Sequence, residues 1–198
     1  MCSSAEHAAA QAGQPAPEAP SAPEDEMHQA LERVLTAHET WFDVSRGYEY
    51  AGRHFDGYAE FSSHGESYVL VKRAKMWEVD NHEYIFFLLA DALAEDELAS
   101  WVEFMKTEAI NKVEPKPNHM SSCISLVILA NSVSEQARKL ARHTRFRKSF
   151  KFSLQGWADL RLVLADLSTH RVYTNAAGKA MKATIEATIA PAQHKQER

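Results

Sequence analysis

The densest chemistry in the chain lies in "RKLARHTRFRKSFK", residues 138–151. Arg138, Arg142 and Arg145 recur at steps of four and three, so a helix aligns them on one face, with Lys139 beside them. Arg147, Lys148 and Lys151 follow, with Phe146, Phe150 and Phe152 interleaved. Cationic side chains neutralise phosphates and aromatic rings stack on bases, so this mixture suits single-stranded nucleic acid or another polyanion. The plainer reading is a solvated helix face running into a core strand. No RNA-recognition, KH or zinc-finger signature accompanies it.

The next stretch, "KSFKFSLQGWADLRLVLADL" (148–167), has an apolar residue or glycine at every even position from Phe150 to Leu164. The odd positions carry Lys151, Gln155, Asp159 and Arg161, with Trp157 among them. Asp159 and Arg161 are two apart on one strand face, which makes them a carboxylate–guanidinium pair lining a pocket or a plain surface ion pair. Trp157 reads as loop packing or as a stacking platform. These three join Arg138, Lys139, Arg142, Arg145, Arg147, Lys148 and Lys151 as the candidate ligand-binding set.

Other groups fall short of a site. His54, Asp56, His64 and Glu66 resemble a string of metal ligands, but a hairpin around "SSHG" (62–65) holds His54 far from His64 and Glu66. His119 is a lone histidine with an expected structural role. Asp56, Glu60 and Glu78 are the carboxylates that a metal-dependent, nuclease-like enzyme would need. The restriction-endonuclease-like fold requires ExK on the strand after its acidic residue. Here Glu66 is followed by Ser67 and Tyr68, and Glu78 by Val79 and Asp80. P-loop, dinucleotide-binding glycine, G-x-S-x-G and H-E-x-x-H motifs are all absent. No metal site and no cofactor are expected.

The elements that must position these groups follow from periodicity. Residues 25–43 place Met27, Leu31, Val34, Leu35, His38, Trp41 and Phe42 at helical spacing. "RHFDGYAEF" (53–61) alternates as a strand. "ESYVLVKRAKMWEV" (66–79) reads as a second strand, "DNH" (80–82) as a turn, and "EYIFFLLAD" (83–91) as a third strand, apolar on both faces and so central and covered. A second helix is expected over 95–113, ended by "EPKPN". "SSCISLVILAN" (121–131) is a buried strand. Ser132 and Glu135 form a capping box that opens a basic helix to about residue 145. The 148–167 stretch is too long for one strand. A three-residue loop at 155–157 would pair Phe152 with Leu160 and keep the apolar set in register, and a bent strand with Gly156 at a bulge would also preserve the phase. "HRVYTN" closes the chain as a strand, and 176–190 is ambiguous.

The resulting expectation is an α+β fold. Its sheet is mostly antiparallel: a meander over 53–91 plus strands near 121–131, 149–154, 158–165 and 171–174, with helices packed on one face. Residues 1–24, rich in Ala and Pro, read as a disordered tail. Residues 25–190 read as a single domain and 191–198 as a frayed C-terminus.

Of the 198 residues, 45% are hydrophobic and 25% charged, an ordinary globular balance. No apolar run is long enough to cross a bilayer, and no signal peptide is evident. The two cysteines, Cys2 and Cys123, make neither a disulfide framework nor a metal motif, which points to the cytoplasm. Charge is uneven. Residues 1–115 hold 8 Lys and Arg against 22 Asp and Glu, a balance of −14, and residues 116–182 hold 12 against 3, a balance of +9. An acidic front and a basic back suit either an anion-binding face or self-association between copies.

"FDGYAEF", "NHEYIFF", "HMSS", "KSFKFSLQGWADLRLVLADL" and "VYTN" together resemble, over about residues 27–182, a family of small bacterial proteins of unknown function. The resemblance implies a bacterial cytoplasmic setting and carries no catalytic residue. The function expected from the residues themselves is a non-enzymatic binding module that uses the basic surface at 138–151 for a nucleic acid or other polyanion. A metal-dependent nuclease-like enzyme and an oligomerising protein are the alternatives.

Overall fold

The computed structural model describes residues 23–61, 80–114, 119–151 and 154–190. The amphipathic helix α1 (Pro23–His38) is followed by an antiparallel hairpin, β1 (Asp43–Tyr50) and β2 (Arg53–Phe61). Its two-residue turn puts Ala51 at φ +47° and Gly52 at φ +75°, the pair of positive angles that a type I′ turn requires. Strand β3 (Asp80–Leu93) pairs antiparallel with β2. Helix α2 (Glu95–Thr107) and a 3-10 turn (Ala109–Lys112) then return the chain to β4 (His119–Val133). Helix α3 (Glu135–His143) and the short β5 (Arg147–Ser149) lead to β6 (Trp157–Asp166), β7 (Arg171–Thr174) and α4 (Lys179–Ile189).

The strand order is β1-β2-β3-β4-β6-β5, with β7 also pairing with β6. The expected architecture fails in two respects. The sheet is mixed: four of its six strand pairs are antiparallel, but the central β3–β4 and β4–β6 pairs are parallel. The helices cover both faces, not one. Leu98, Val102 and Met105 of α2 and Ala137 and Ala141 of α3 pack on Phe86, Leu126, Ile128, Leu160 and Leu162. On the opposite face Leu31, Val34 and Leu35 of α1 and Ile185 and Ile189 of α4 pack on Ile85, Phe87, Val127, Leu129 and Val163. The physical reason is in the strands. "YIFF" and "LVILA" are apolar at consecutive positions, so each presents a hydrophobic surface to both sides, and only two helical layers bury both. At Gly57 the α1 layer comes so close that an added Cβ would lie 2.8 Å from a Leu35 methyl.

Local boundaries also move. The β1 strand was not anticipated, and Trp41, expected on the helical stripe, is 68% exposed in the turn beyond α1. "DNH" (80–82) opens β3 instead of turning, and the strand expected over 66–79 lies outside the described residues. The cap of α3 is Ser134, whose Oγ accepts from the Ala137 amide at 3.1 Å, because β4 runs on through Val133. The 148–167 hairpin exists in a different register. Arg147 pairs with Asp159, Lys148 with Ala158 and Ser149 with Trp157. The connection is therefore longer than three residues and carries positive φ at Lys151 and Gly156. The even positions 158–164 still face the core under α2 and α3. No helix among the described residues is long and apolar enough to cross a membrane.

Candidate functional site

The sheet edge beyond β6 is where cations converge. Strand β7 forms a floor, with α3 packed against it from one layer and α4 from the other. Between them lies a groove of about 860 Å³. Arg142 and Arg145 approach from the α3 side, Arg171 from β7, and Lys179 and Lys182 from α4, with Tyr173 and Thr174 on the floor. Lys182 lies 3.5 Å from Glu186, which also lines the groove. Arg142, Arg145, Arg171 and Lys179 form no ion pair among the described residues. A second hollow of about 440 Å³ adjoins it, sharing Arg145 and Ala176. Its other walls include Phe146, Leu160, Ala177 and the Arg147–Asp159 pair.

One buried side chain holds this corner together. The Asn175 Oδ1 accepts from the Leu162 amide at 3.1 Å and the Gly178 amide at 2.8 Å. Its Nδ2 donates to the Leu160 carbonyl at 2.8 Å and the Thr144 carbonyl at 3.4 Å. Asn175 thus ties the end of α3, strand β6 and the start of α4 to one point. Gly178 is required there, since a Cβ would meet the Leu162 carbonyl oxygen at 2.6 Å. Helix α4 begins without an acidic residue in its first turn and with Lys179 instead. A cation at the positive end of a helix dipole is unfavourable unless an anion is brought to it.

The residues singled out from sequence divide into those in the groove and those engaged elsewhere. Arg142 and Arg145 are in it. Arg138 is a structural tie: its Nη2 donates to Asp166 at 2.9 Å, its Nε to the Val133 carbonyl at 3.0 Å, and its guanidinium lies 4.7 Å from the centroid of the Tyr173 ring. Asp166 is fully buried, and it also accepts from Ser168 Oγ and the Thr169 amide. Lys139 pairs with Glu135 one helical turn away. Arg147 meets Asp159 through two bonds of 2.7 Å and lies 5.3 Å from the Trp157 ring centroid. Arg161 turns to Glu83 on β3 at 2.6 Å, so Asp159 and Arg161 each take a partner other than the other. Lys148 lies 5.7 Å from the centroid of the Phe150 ring, and Lys151 is exposed in the loop. Arg171, Lys179 and Lys182 were missed because they lie on β7 and α4, 20, 28 and 31 residues beyond the end of the dense basic run at Lys151. Their sequence signal is the three-residue step from Lys179 to Lys182, within the ambiguous segment 176–190.

The remaining candidates are occupied structurally. His54 Nδ1 lies 2.9 Å from Glu49, Asp56 accepts from the Leu89 amide at 2.7 Å, and Glu60 accepts from the Tyr58 hydroxyl at 2.7 Å. His64, Glu66 and Glu78 lie outside the described residues. Among the described residues no three His, Cys, Asp or Glu side chains cluster as a metal site. Cys123 sits on β4 between the Glu83–Arg161 and Arg147–Asp159 pairs. Burial pushes its thiol up to about 11, so it is not a reactive thiolate at neutral pH. Burial also pushes the Tyr84 hydroxyl up to about 12 and raises that of Tyr58, which donates its proton in a hydrogen bond to Glu60.

A mixed sheet between two helical layers, with a basic groove at one edge, is the class of protein that these observations define. The chain belongs to the family described as "Domain of unknown function (DUF8052)", whose profile matches residues 26–187. Comparison with curated proteins and with solved structures gives no match.

Proposed function

We propose that this protein is a non-enzymatic binding module whose groove between α3, β7 and α4 holds a polyanion. One observation carries this reading: five basic side chains, from α3 and the segment just beyond it, β7 and α4, line one cavity, and four of them have no carboxylate partner among the described residues. Crowded like charges destabilise a fold, and an uncompensated breach of local rules marks a functional site. A cytoplasmic setting belongs to the same reading, supported by the two isolated cysteines.

The test is fluorescence anisotropy with single-stranded DNA and with polyglutamate, at about 50 and 200 mM salt, the range over which phosphate contacts weaken. The comparison protein carries Arg142→Glu, Arg145→Glu and Lys179→Glu, which leave the Arg138–Asp166 tie intact. Binding that weakens with salt and disappears in the variant is expected. No binding of either polymer or of tripolyphosphate by the folded wild type removes the proposal.

A further inference from the structure

We infer that the groove's ligand is a compact polyphosphate joined to an apolar ring, a nucleoside polyphosphate in chemical class, lying across Arg145 with its phosphates in the basic cavity and its ring in the adjoining hollow. The inference rests on the polyanion reading and deepens it.

Three observations separate a compact anion from a long polymer. First, the cations converge. Arg142, Arg171, Lys179 and Lys182 come from two helices and a strand, and Arg145 from the segment just beyond α3, onto one cavity of about 860 Å³. That volume lies within the roughly 300–1,000 Å³ range of small-molecule sites. Second, the start of α4, where backbone amides and the helix dipole favour phosphate, lies at this cavity through Ala176 and Lys179. Third, the hollow of about 440 Å³ opens from the same place and has a different chemistry. The Phe146 ring, Leu160, Ala176 and Ala177 give it apolar walls. Apart from Arg145, which it shares with the basic cavity, its polar groups are engaged: Asn175 by four hydrogen bonds, Thr144 by the Leu140 carbonyl, and Arg147 by Asp159. It therefore offers contact area to a ring and little to a second phosphate. Arg145 and Ala176 belong to both cavities, so one ligand reaching across them contacts both.

Isothermal titration of the full chain with tripolyphosphate, a nucleoside triphosphate and single-stranded DNA tests this. Ala177 is exposed at the wall of the smaller hollow, so Ala177→Phe fills that space without entering the core. The wild type should bind the nucleoside triphosphate at least about tenfold tighter than tripolyphosphate, a step of about 1.4 kcal/mol. Ala177→Phe should erase that advantage and leave tripolyphosphate affinity unchanged, while Arg145→Ala should weaken both. Equal affinity for the two compounds in the wild type overturns the inference. So does DNA binding without tripolyphosphate binding, which leaves the polyanion reading standing. Failure of all three ligands removes both. Should Ala177→Phe misfold, Ala177→Leu repeats the comparison with a smaller plug.

Discussion

Replacing Asn175 by alanine should loosen the wall of the groove from the sheet. The Leu162 and Gly178 amides would lose their acceptor, the Leu160 carbonyl a donor at 2.8 Å, and the Thr144 carbonyl a weaker one at 3.4 Å. A buried group left unpaired costs about 1–3 kcal/mol. Two amides and one carbonyl, with water able to enter from the adjoining hollow, put the loss at about 3 kcal/mol. Domains are stable by only about 5–15 kcal/mol, so this is a large fraction. In a chain of this size it corresponds to a fall in Tm of about 6–12 °C. Urea denaturation followed by circular dichroism measures it, and m should be unchanged. Gly178→Ala strikes the same contact from the other side, because its Cβ would press on the Leu162 carbonyl oxygen. The two changes share partners, so the double variant should lose less than the sum of the singles. A loss under about 1 kcal/mol for Asn175→Ala at constant m would refute the role assigned to this side chain.

Three further outcomes follow from the same structure. Asp166→Ala breaks a buried carboxylate's bonds to Arg138, Ser168 and Thr169; with Arg138 partly in solvent to soften the loss, it should cost about 2–3 kcal/mol by urea melt. Ser125→Ala removes a buried hydroxyl that has no hydrogen-bond partner among the described residues, so stability should hold or rise by up to about 1 kcal/mol. Cys123 should resist alkylation in the native state at pH 8, and its labelling rate should climb only as pH approaches about 11. Linkage has a definite sign there. The folded thiol holds its proton to higher pH than the unfolded one, so its contribution is complete below about pH 8.5, the ordinary thiol value, and is lost as pH rises to about 11. Cys123→Ala should flatten that part of the alkaline melt curve.

Much of the framework can be read from residue order, and the failures have identifiable causes. The helices at 25–43 and 95–113 and the strands at 53–61, 83–91 and 121–131 are set by strong local periodicity, and each has a counterpart. Sheet direction is not a local property. "YIFFLL" and "SLVILA" already demanded cover on both faces, and two such strands joined through a helix suit a parallel crossover. That two-sided burial, more than the turn signals, decides both the central strand directions and the two helix layers. Strand β1 is polar and mostly exposed or half-buried, so "DVSRGYEY" carries no buried-strand signal. The 148–167 register failed because Gly156 closes the loop next to β6 instead of lying inside a tight turn. The site was legible only in part. Arg142 and Arg145 stood out by spacing. Arg138, Arg147 and Arg161 looked equivalent to them, because a sequence does not show that Asp166, Asp159 and Glu83 are waiting across the sheet. Arg171 and Lys179 come to the groove through the turn that Asn175 fixes, a long-range consequence of "VYTN".

The salt dependence of single-stranded DNA binding tests the groove most directly. Each phosphate contact on a single strand contributes about −0.7 to the slope of log K against log salt. Engagement of Arg142, Arg145, Arg171 and Lys179 predicts a slope of about −3, reduced or lost when Arg142, Arg145 and Lys179 are changed to Glu. A slope and affinity unchanged by that triple substitution would contradict the assignment of the groove as the anion-binding site.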